Sequence, residues 1–112
     1  MLELKTKIEG KTMIITVYGE IDHHTAREIR TKVDAAITSA RPELIALDLS
    51  EISFMDSSGL GLIMGRYALA SELGADICVL KPTDAVARII LMAGLDKIVP
   101  IKRCLDEKTT VK

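Results

Sequence analysis

The chain has 112 residues, of which 48% are hydrophobic and 28% are charged, and its formal net charge is −1. This length and apolar content suffice for one domain with its own core, which excludes a mainly disordered chain. The balanced charge leaves no basic excess to neutralise phosphates, so we expect no nucleic-acid binding.

The first residues predict a β-hairpin. Residues 2–9 alternate between charged side chains and uncharged, mostly apolar ones, which is typical of a half-exposed strand. Gly10-Lys11 predicts a tight turn into a second strand over 12–18. Gly19 is expected to end that strand.

A helix is predicted over 25–40, because apolar residues recur there at helical spacing. They are Ala26, Ile29, Val33, Ala36, Ile37 and Ala40. Asp22 and His24 are candidate caps, and Thr25 and Glu28 have the spacing of a capping box. The Arg-Pro pair at 41–42 is expected to end the helix.

The middle of the chain predicts a buried strand, a loop and a second helix. Residues 44–49 are nearly all apolar, as in central parallel strands that are covered on both faces. A loop is expected over 50–55 and a helix over 57–73, with Gly74 at its end. The apolar stripe of this helix is expected to consist of Leu60, Ile63, Met64 and Tyr67.

The remaining residues predict a strand over 75–80, a helix from 83 or 84 to 93, an edge strand over 97–101, and then a short helix or frayed end. The order is β-β-α-β-α-β-α-β. Strand–helix–strand units in one sheet cross over right-handed, so the later strands should be parallel and the hairpin an antiparallel edge. We therefore expect an α/β (α+β) fold in which one domain, residues 1–112, packs a mixed sheet against helices.

Membrane and export functions are not expected. Arg66 and Arg88 interrupt the longest apolar stretches, and the N-terminus lacks the basic-then-apolar order of a signal peptide. Cys78 and Cys104 form no CxxC and no metal-binding pattern. A single disulfide is possible from the count, but a pair of reduced cytoplasmic thiols is the simpler interpretation. We expect a cytoplasmic protein without a bound metal.

The most informative stretch is 54–61, which follows the buried strand and opens the second helix. In open α/β sheets, ligands and partners bind at this end of the strands. Asp56, Ser57 and Ser58 are all good capping residues, so a redundant N-cap is one interpretation. One helix needs only one cap, so at least one hydroxyl should be free to receive a phosphate or to contact a partner.

Three glycines follow within the helix, where each costs about 1 kcal/mol relative to Ala. Gly61 and Gly65 are expected to lie on one face and to allow close approach to the sheet or to a neighbour, with Gly61 as the closest point. Gly59 is expected to leave the helix entrance sterically open.

A second informative stretch, 19–25, also lies at a strand-to-helix junction, where a structural cap is again one interpretation. If both strands run in the same direction, Glu20, Asp22 and Asp56 form an acidic rim beside the free serine. Such a rim without catalytic residues suits a basic partner surface.

Catalytic interpretations have less support. Neither serine has the glycine two residues earlier that a nucleophile elbow requires. His23 and His24 would point about 100° apart on a helix and supply no set of zinc ligands, so exposed or capping histidines are the simpler interpretation. No Gly-Lys-Ser/Thr sequence completes a phosphate-binding loop, although nucleotide binding at this helix start stays open.

Three segments together resemble the anti-sigma factor antagonists of the STAS domain family, and in detail their sporulation branch. They are Gly-Glu-Ile-Asp-His-His-Thr-Ala at 19–26, Phe-Met-Asp-Ser-Ser-Gly-Leu-Gly at 54–61 and Gly-Arg-Tyr at 65–67. The resemblance spans nearly the whole chain, to about residue 95. The polar C-terminal tail departs from it and leaves the last helix open.

The resemblance implies a partner-switching mechanism. The unphosphorylated antagonist binds an anti-sigma factor that is also an ATP-dependent serine kinase, and it thereby releases the sporulation sigma factor. The kinase then phosphorylates Ser57, the complex dissociates, and a serine phosphatase restores the antagonist. The resemblance places Asp22 and Asp56 near the partner-binding surface. Together with the residues singled out above, the expected partner surface contains Glu20, Asp22, Asp56, Ser57, Ser58, Gly59 and Gly61. Ser58 is then the expected helix cap.

The same resemblance implies a regulatory protein and not an enzyme. ATP belongs to the kinase, so the chain itself needs no cofactor. Two alternatives stay open at this point. One is a STAS module that regulates stress signalling or transport, against which the short chain without a membrane span argues. The other is a small serine hydrolase, for which the sequence offers no base that can be placed.

Overall fold

A computed structural model of the chain describes residues 3–105. Its elements, in chain order, are β1 (Glu3–Glu9), β2 (Thr12–Ile21), α1 (Ala26–Ala40), β3 (Leu44–Asp48), β4 (Ile52–Met55), α2 (Ser58–Leu73), β5 (Asp76–Leu80), α3 (Asp84–Met92), a 3₁₀ turn (Leu95–Lys97) and β6 (Ile101–Lys102).

The strands form one mixed sheet in the order β1-β2-β3-β5-β6, and β4 pairs with the end of β2. Among the strands of residues 3–105, only β1 runs antiparallel to its neighbour, and the other pairs are parallel. This arrangement confirms the predicted α/β mixed sheet with an N-terminal hairpin. It also confirms that β3 is a central parallel strand, between β2 and β5.

The main core lies between the sheet and the three helices. Each helix contributes buried apolar residues to it, such as Ile29 and Val33 from α1, Ile63 from α2, and Val86 and Ile90 from α3. The predicted apolar face of α1 is thereby confirmed, since Ile29, Val33 and Ile37 are all buried. A smaller cluster of Ala46, Cys78 and Leu80, with Leu105 packed against it, completes the burial of β3 and β5.

The end of β2 differs from the prediction. Gly19 does not end the strand; it takes a φ of 109° there, and the pairing register shifts between Gly19 and Glu20. Beyond this irregularity the strand continues to Ile21 and pairs with β4, for which only a loop was predicted. A strand of four residues with burial only at its two ends carries no alternating pattern that sequence analysis can detect.

The orientation of α2 also differs from the prediction. Its buried residues are Gly59, Leu62, Ile63, Arg66 and Ala70. Of the expected stripe, only Ile63 is fully buried and Leu60 is partly buried, whereas Met64 and Tyr67 are exposed. Because apolar residues occur on most sides of this helix, periodicity alone does not fix the side that faces the sheet.

Two terminal predictions need correction. The first concerns β1, which was expected to be half-buried. Ile8 is 58% exposed, and Leu4 is the only partly buried residue of the strand as described. The helices contact β2, β4 and β5, which leaves this outer strand largely uncovered. The strand predicted over 97–101 is instead a 3₁₀ turn followed by the two-residue edge strand β6, which pairs with β5.

A short helix or frayed end is expected from Lys102 onward, but Lys102 belongs to β6 and residues 103–105 form no helix. The rest of this tail, 106–112, lies outside the described residues, as do residues 1–2. The prediction that one domain spans residues 1–112 therefore stays a prediction at both ends. Among the described helices, none combines the length and the apolar character needed to cross a membrane.

Candidate functional site

Two strand-to-helix junctions lie next to each other at the carboxyl end of the parallel strands. Ile21 and Met55, the last residues of β2 and β4, are paired in parallel register. The N–H of Asp56 donates a hydrogen bond to the carbonyl of Ile21 over 3.1 Å. The two stretches that the sequence singled out, 19–25 and 54–61, are therefore neighbours, at the carboxyl end of the strands where open α/β sheets bind ligands.

The first junction is a turn held by Asp22 and Thr25. Oδ1 of Asp22 accepts hydrogen bonds from the N–H groups of His24 (2.9 Å) and Thr25 (3.0 Å). Oγ1 of Thr25 accepts one from the N–H of Asp22 (3.0 Å) and donates one to the carbonyl of Glu20 (2.9 Å). Asp22 therefore stabilises the turn that precedes α1, and neither Asp22 nor Thr25 makes a side-chain capping bond to a backbone N–H inside the helix.

The hydrogen bonds of this turn favour the ionised carboxylate. The pKa of Asp22 is lowered from its ordinary value of 3.8, mainly by the backbone N–H of Thr25. Burial acts in the opposite direction, and the backbone and charge of His24 add smaller lowering effects. Asp22 therefore carries a fixed negative charge at the mouth of the site at neutral pH.

The second junction leaves its serines free. Oδ1 of Asp56 accepts a hydrogen bond from the N–H of Ser58 over 2.8 Å, so Asp56 caps α2. Ser57 is the N-cap position but makes no side-chain capping bond, and neither serine hydroxyl is hydrogen-bonded within residues 3–105. The expectation that Ser58 caps the helix is wrong, because Ser58 is the first residue inside α2, and Asp56 instead of a serine hydroxyl accepts a backbone N–H at this helix start.

The two serines differ in their surroundings. Ser57 is exposed, and Ser58 is partly buried. The first therefore presents an unbonded hydroxyl at the positive end of α2, while the second faces a groove between α1 and α2.

The glycines of α2 do not have the roles that the sequence suggested. Gly59 is buried, and a Cβ atom there would clash with the side chain of Met55. Gly61 is exposed, and a Cβ atom at Gly61 or Gly65 would meet no other atom within 4 Å. Gly59 and not Gly61 is therefore the point of close approach, and the entrance that Gly59 was expected to leave open is filled by Met55.

The acidic side chains of the site lie at the ends of two adjacent strands. Glu20 pairs in register with Phe54, and Asp22 and Asp56 directly follow the paired residues Ile21 and Met55. This common placement supports the acidic rim that the sequence predicted beside Ser57.

A groove of about 420 Å³ lies between α1 and α2, next to the serines. Its lining comprises Ala26, Arg27, Arg30, Ser58, Gly61, Leu62, Gly65 and Arg66. The glycines supply no side chains, which leaves the space between the helices open. No local sequence pattern indicates this groove, because it depends on the relative placement of two helices.

Arg66 closes the base of the groove. It is only 5% exposed, and its Nε lies 2.8 Å from Oδ1 of Asp34 on α1. Nη2 donates to Oδ2 of the same carboxylate over 3.3 Å, and Nη1 donates to the carbonyl of Leu62. Burial lowers the pKa of Arg66, and the charge of Arg30 lowers it further, while Asp34 raises it. This ion pair joins the two helices beneath the site.

Hydrolytic and metal-dependent chemistry finds no support in the described residues. The rings of His23 and His24 are 4.0 Å apart in the turn, and neither side chain is hydrogen-bonded to a serine within residues 3–105. No three His, Cys, Asp or Glu side chains of this part of the chain are placed to share a metal ion.

Comparisons with known proteins give the same grouping as the motifs. The STAS domain family model matches residues 3–108. The anti-sigma F factor antagonist of Paenibacillus polymyxa is 40% identical over 100 residues, which cover 89% of this chain and 86% of the relative.

Solved structures of this kind include both states of one protein. The anti-sigma factor antagonist SpoIIAA in its unphosphorylated form superimposes with a TM-score of 0.75 at 29% identity, covering 88% of this chain and 87% of that one. The phosphorylated form of the Bacillus cell fate determinant SpoIIAA gives a TM-score of 0.67 at 29% identity, with 90% of each chain covered. The chain therefore belongs to the STAS domain family, and over most of its length it is similar to anti-sigma factor antagonists.

Proposed function

We propose that this protein is an anti-sigma factor antagonist that controls a sporulation sigma factor. In its unphosphorylated form it binds an anti-sigma factor that is also a serine kinase, and the sigma factor is released. Phosphorylation of Ser57 ends this binding. The observation that carries the proposal is the exposed hydroxyl of Ser57, which makes no hydrogen bond within residues 3–105 although Ser57 holds the N-cap position of α2.

The electrostatics of the site support a switch of this kind. A phosphate on Ser57 adds about −1.5 to −2 charges at neutral pH. At the start of α2 the helix dipole favours this charge in the free protein. In a close complex the same charge lies beside Asp56 and Asp22, where desolvation and like-charge repulsion oppose binding. Phosphorylation can therefore dissociate the complex without unfolding the domain.

The proposed partner surface follows from the same geometry. Glu20, Asp22 and Asp56 supply negative charge that complements a basic surface of the anti-sigma factor. Ser57, Ser58 and exposed Gly61 supply contact area around the acceptor hydroxyl. Gly59 acts indirectly, because it is buried under Met55 and fixes the position of the helix entrance.

The proposed phosphorylation cycle also involves a phosphatase, ATP and a cellular compartment. A serine phosphatase restores the unphosphorylated protein, ATP is bound by the kinase, and the cycle takes place in the cytoplasm. The protein itself is a substrate and a binding partner without an enzymatic activity or a cofactor of its own.

A phosphorylation assay tests this function. The wild-type protein is incubated with its anti-sigma factor kinase and ATP, and the modified residue is located by mass spectrometry. We expect one phosphate, on Ser57, in the wild type and in Ser58→Ala, and none in Ser57→Ala. Both variants should still bind the kinase. Phosphate on Ser58 or Thr25, or none in the wild type, would contradict the proposal.

A further inference from the structure

The groove between α1 and α2 brings uncompensated positive charge to the phosphorylation site. Arg27 and Arg30 line it from α1 and are exposed. Within residues 3–105 neither arginine takes part in an ion pair, whereas the charge of Arg66 at the base of the groove is neutralised by Asp34. The groove therefore offers two guanidinium groups without an anionic partner.

The groove and the acceptor serine share one end of the molecule. Ala26 and Ser58, the first residues of α1 and α2, both line the groove, so the positive ends of both helices contribute to its potential. Ser58 is also the direct neighbour of Ser57 in the chain. An anion that binds at this end of the groove consequently lies next to the hydroxyl that is to be phosphorylated.

Acidic residues near Ser57 oppose the approach of ATP, and the two arginines of the groove can offset this repulsion. Glu20, Asp22 and Asp56 lie at the ends of β2 and β4, at the two junctions that form the site of Ser57. They repel the strongly negative triphosphate that must come within about 3–3.5 Å of the serine oxygen for transfer. Cations on the groove side offset this repulsion, since guanidinium groups bind phosphate oxygens in a bidentate manner.

We propose that Arg27 and Arg30 bind the phosphate groups of the nucleotide that the kinase holds, at the moment when Ser57 is presented to it. This inference rests on the proposed function and adds a contribution of the substrate to its own phosphorylation. A phosphate is a better occupant than an acidic side chain of the kinase, because the groove has a volume of about 420 Å³, includes the neighbour of the acceptor serine in its lining, and holds two arginines.

The transfer that these arginines assist is a single displacement. Oγ of Ser57 attacks the γ-phosphorus of ATP and forms a new O–P bond. The bond between that phosphorus and the β,γ-bridging oxygen breaks, and ADP leaves with the electron pair. The hydroxyl proton passes to a base of the kinase. Arg27 and Arg30 take no proton; they hold phosphate oxygens and place them against Ser57.

The test compares two double variants that each remove two exposed arginines. Arg27→Gln/Arg30→Gln alters the groove. Arg88→Gln/Arg103→Gln removes the same charge elsewhere on the surface and is the matched control. For each protein, kcat/KM for phosphorylation is measured, and affinity is measured for the kinase with a non-hydrolysable ATP analogue, with ADP, and without nucleotide. Thermal melts establish that both variants are folded.

We expect the groove variant to lose at least tenfold in kcat/KM, and the control less than twofold. The loss of affinity should be largest with the ATP analogue, smaller with ADP and absent without nucleotide. Arg27→Lys/Arg30→Lys should recover part of the rate, because it keeps the charge but not the bidentate geometry.

Three results overturn the inference. They are an unchanged kcat/KM in the groove variant, an equal loss in the control, and an equal loss of affinity in all three nucleotide states, which would indicate acidic residues of the kinase as the contact. In each case wild-type phosphorylation on Ser57 would still support the proposed function. A wild type without phosphate on Ser57 would overturn both.

Discussion

The two strand-to-helix junctions of the site use similar residues in different ways. At the start of α1, Asp22 accepts two backbone N–H groups, and the hydroxyl of Thr25 bonds to residues before it in the same turn. At the start of α2, Asp56 accepts a single N–H group, and the hydroxyl of Ser57 has no such bond within the described part of the chain. The first junction satisfies its own polar groups, whereas the second presents one to another molecule.

This contrast separates structural from functional serine and threonine at a helix start. Both junctions have an aspartate that accepts backbone N–H groups, so the presence of good capping residues does not distinguish them. The two junctions differ in whether the hydroxyl, of Thr25 or of Ser57, is hydrogen-bonded within the local turn. The comparison predicts that substitutions at the first junction change stability and that substitutions at Ser57 change only recognition.

The largest expected effect on stability concerns the packing beneath the second junction. Gly59→Ala places a Cβ atom against the side chain of Met55, so we expect the free energy of unfolding to fall by about 1–3 kcal/mol. Gly61→Ala meets open space and should raise it by about 0.5–1 kcal/mol, through the better helix propensity of Ala. Urea unfolding of the two variants measures both values.

The pair serves as its own control, since both substitutions add the same methyl group to the same helix. A Gly59→Ala protein as stable as Gly61→Ala would show that Met55 moves aside at no cost, and that the second junction is not fixed by this contact.

The amino-acid sequence predicts the parts of the fold that depend on regular patterns. The face of α1 follows from Ile29, Val33 and Ile37, and the central position of β3 follows from its continuous apolar run. The face of α2 does not follow, because Leu62 is buried and Met64 is exposed in a helix that is apolar almost all round.

The site was predictable to the extent that it lies in local motifs. The Asp-Ser-Ser-Gly stretch and the acidic residues of 19–25 stand at junctions that a strand-helix pattern locates. The choice of Asp56 as the cap was not predictable, because Asp and Ser have similar capping preferences. The arginine groove depends on the contact of α1 with α2, and its one local signal was Arg66 within an apolar helix, with Asp34 on the preceding helix.

A second prediction compares the two hydroxyls directly. Thr25→Val keeps the shape of the side chain but leaves the N–H of Asp22 without its acceptor, so the free energy of unfolding should fall by about 1–2 kcal/mol. Ser57→Ala removes a hydroxyl without a bond in the described structure, and its effect should stay within about 0.5 kcal/mol. Thermal melts of both variants check this difference. If Ser57→Ala lost as much stability as Thr25→Val, the hydroxyl of Ser57 would also be hydrogen-bonded within its own junction.

The smallest expected effect is the pH response of the first junction. Hydrogen bonds from Thr25 and His24 lower the pKa of Asp22 below 3.8 in the folded protein. A carboxyl whose pKa is lower in the folded state stabilises the fold above its unfolded pKa, and this contribution disappears as the pH falls through the folded pKa. The turn should therefore hold at pH 5 and loosen only below 3.8.

NMR titration of the Asp22 carboxyl carbon, followed together with the amide signals of His24 and Thr25, measures the midpoint. Asp22→Asn is the control, since it retains an oxygen acceptor but cannot ionise, and its amide signals should not shift in this pH range. A midpoint at or above 3.8 in the wild type would mean that the hydrogen bonds do not favour the ionised form of Asp22. The polar groups of the first junction would then be no better satisfied than those of the second.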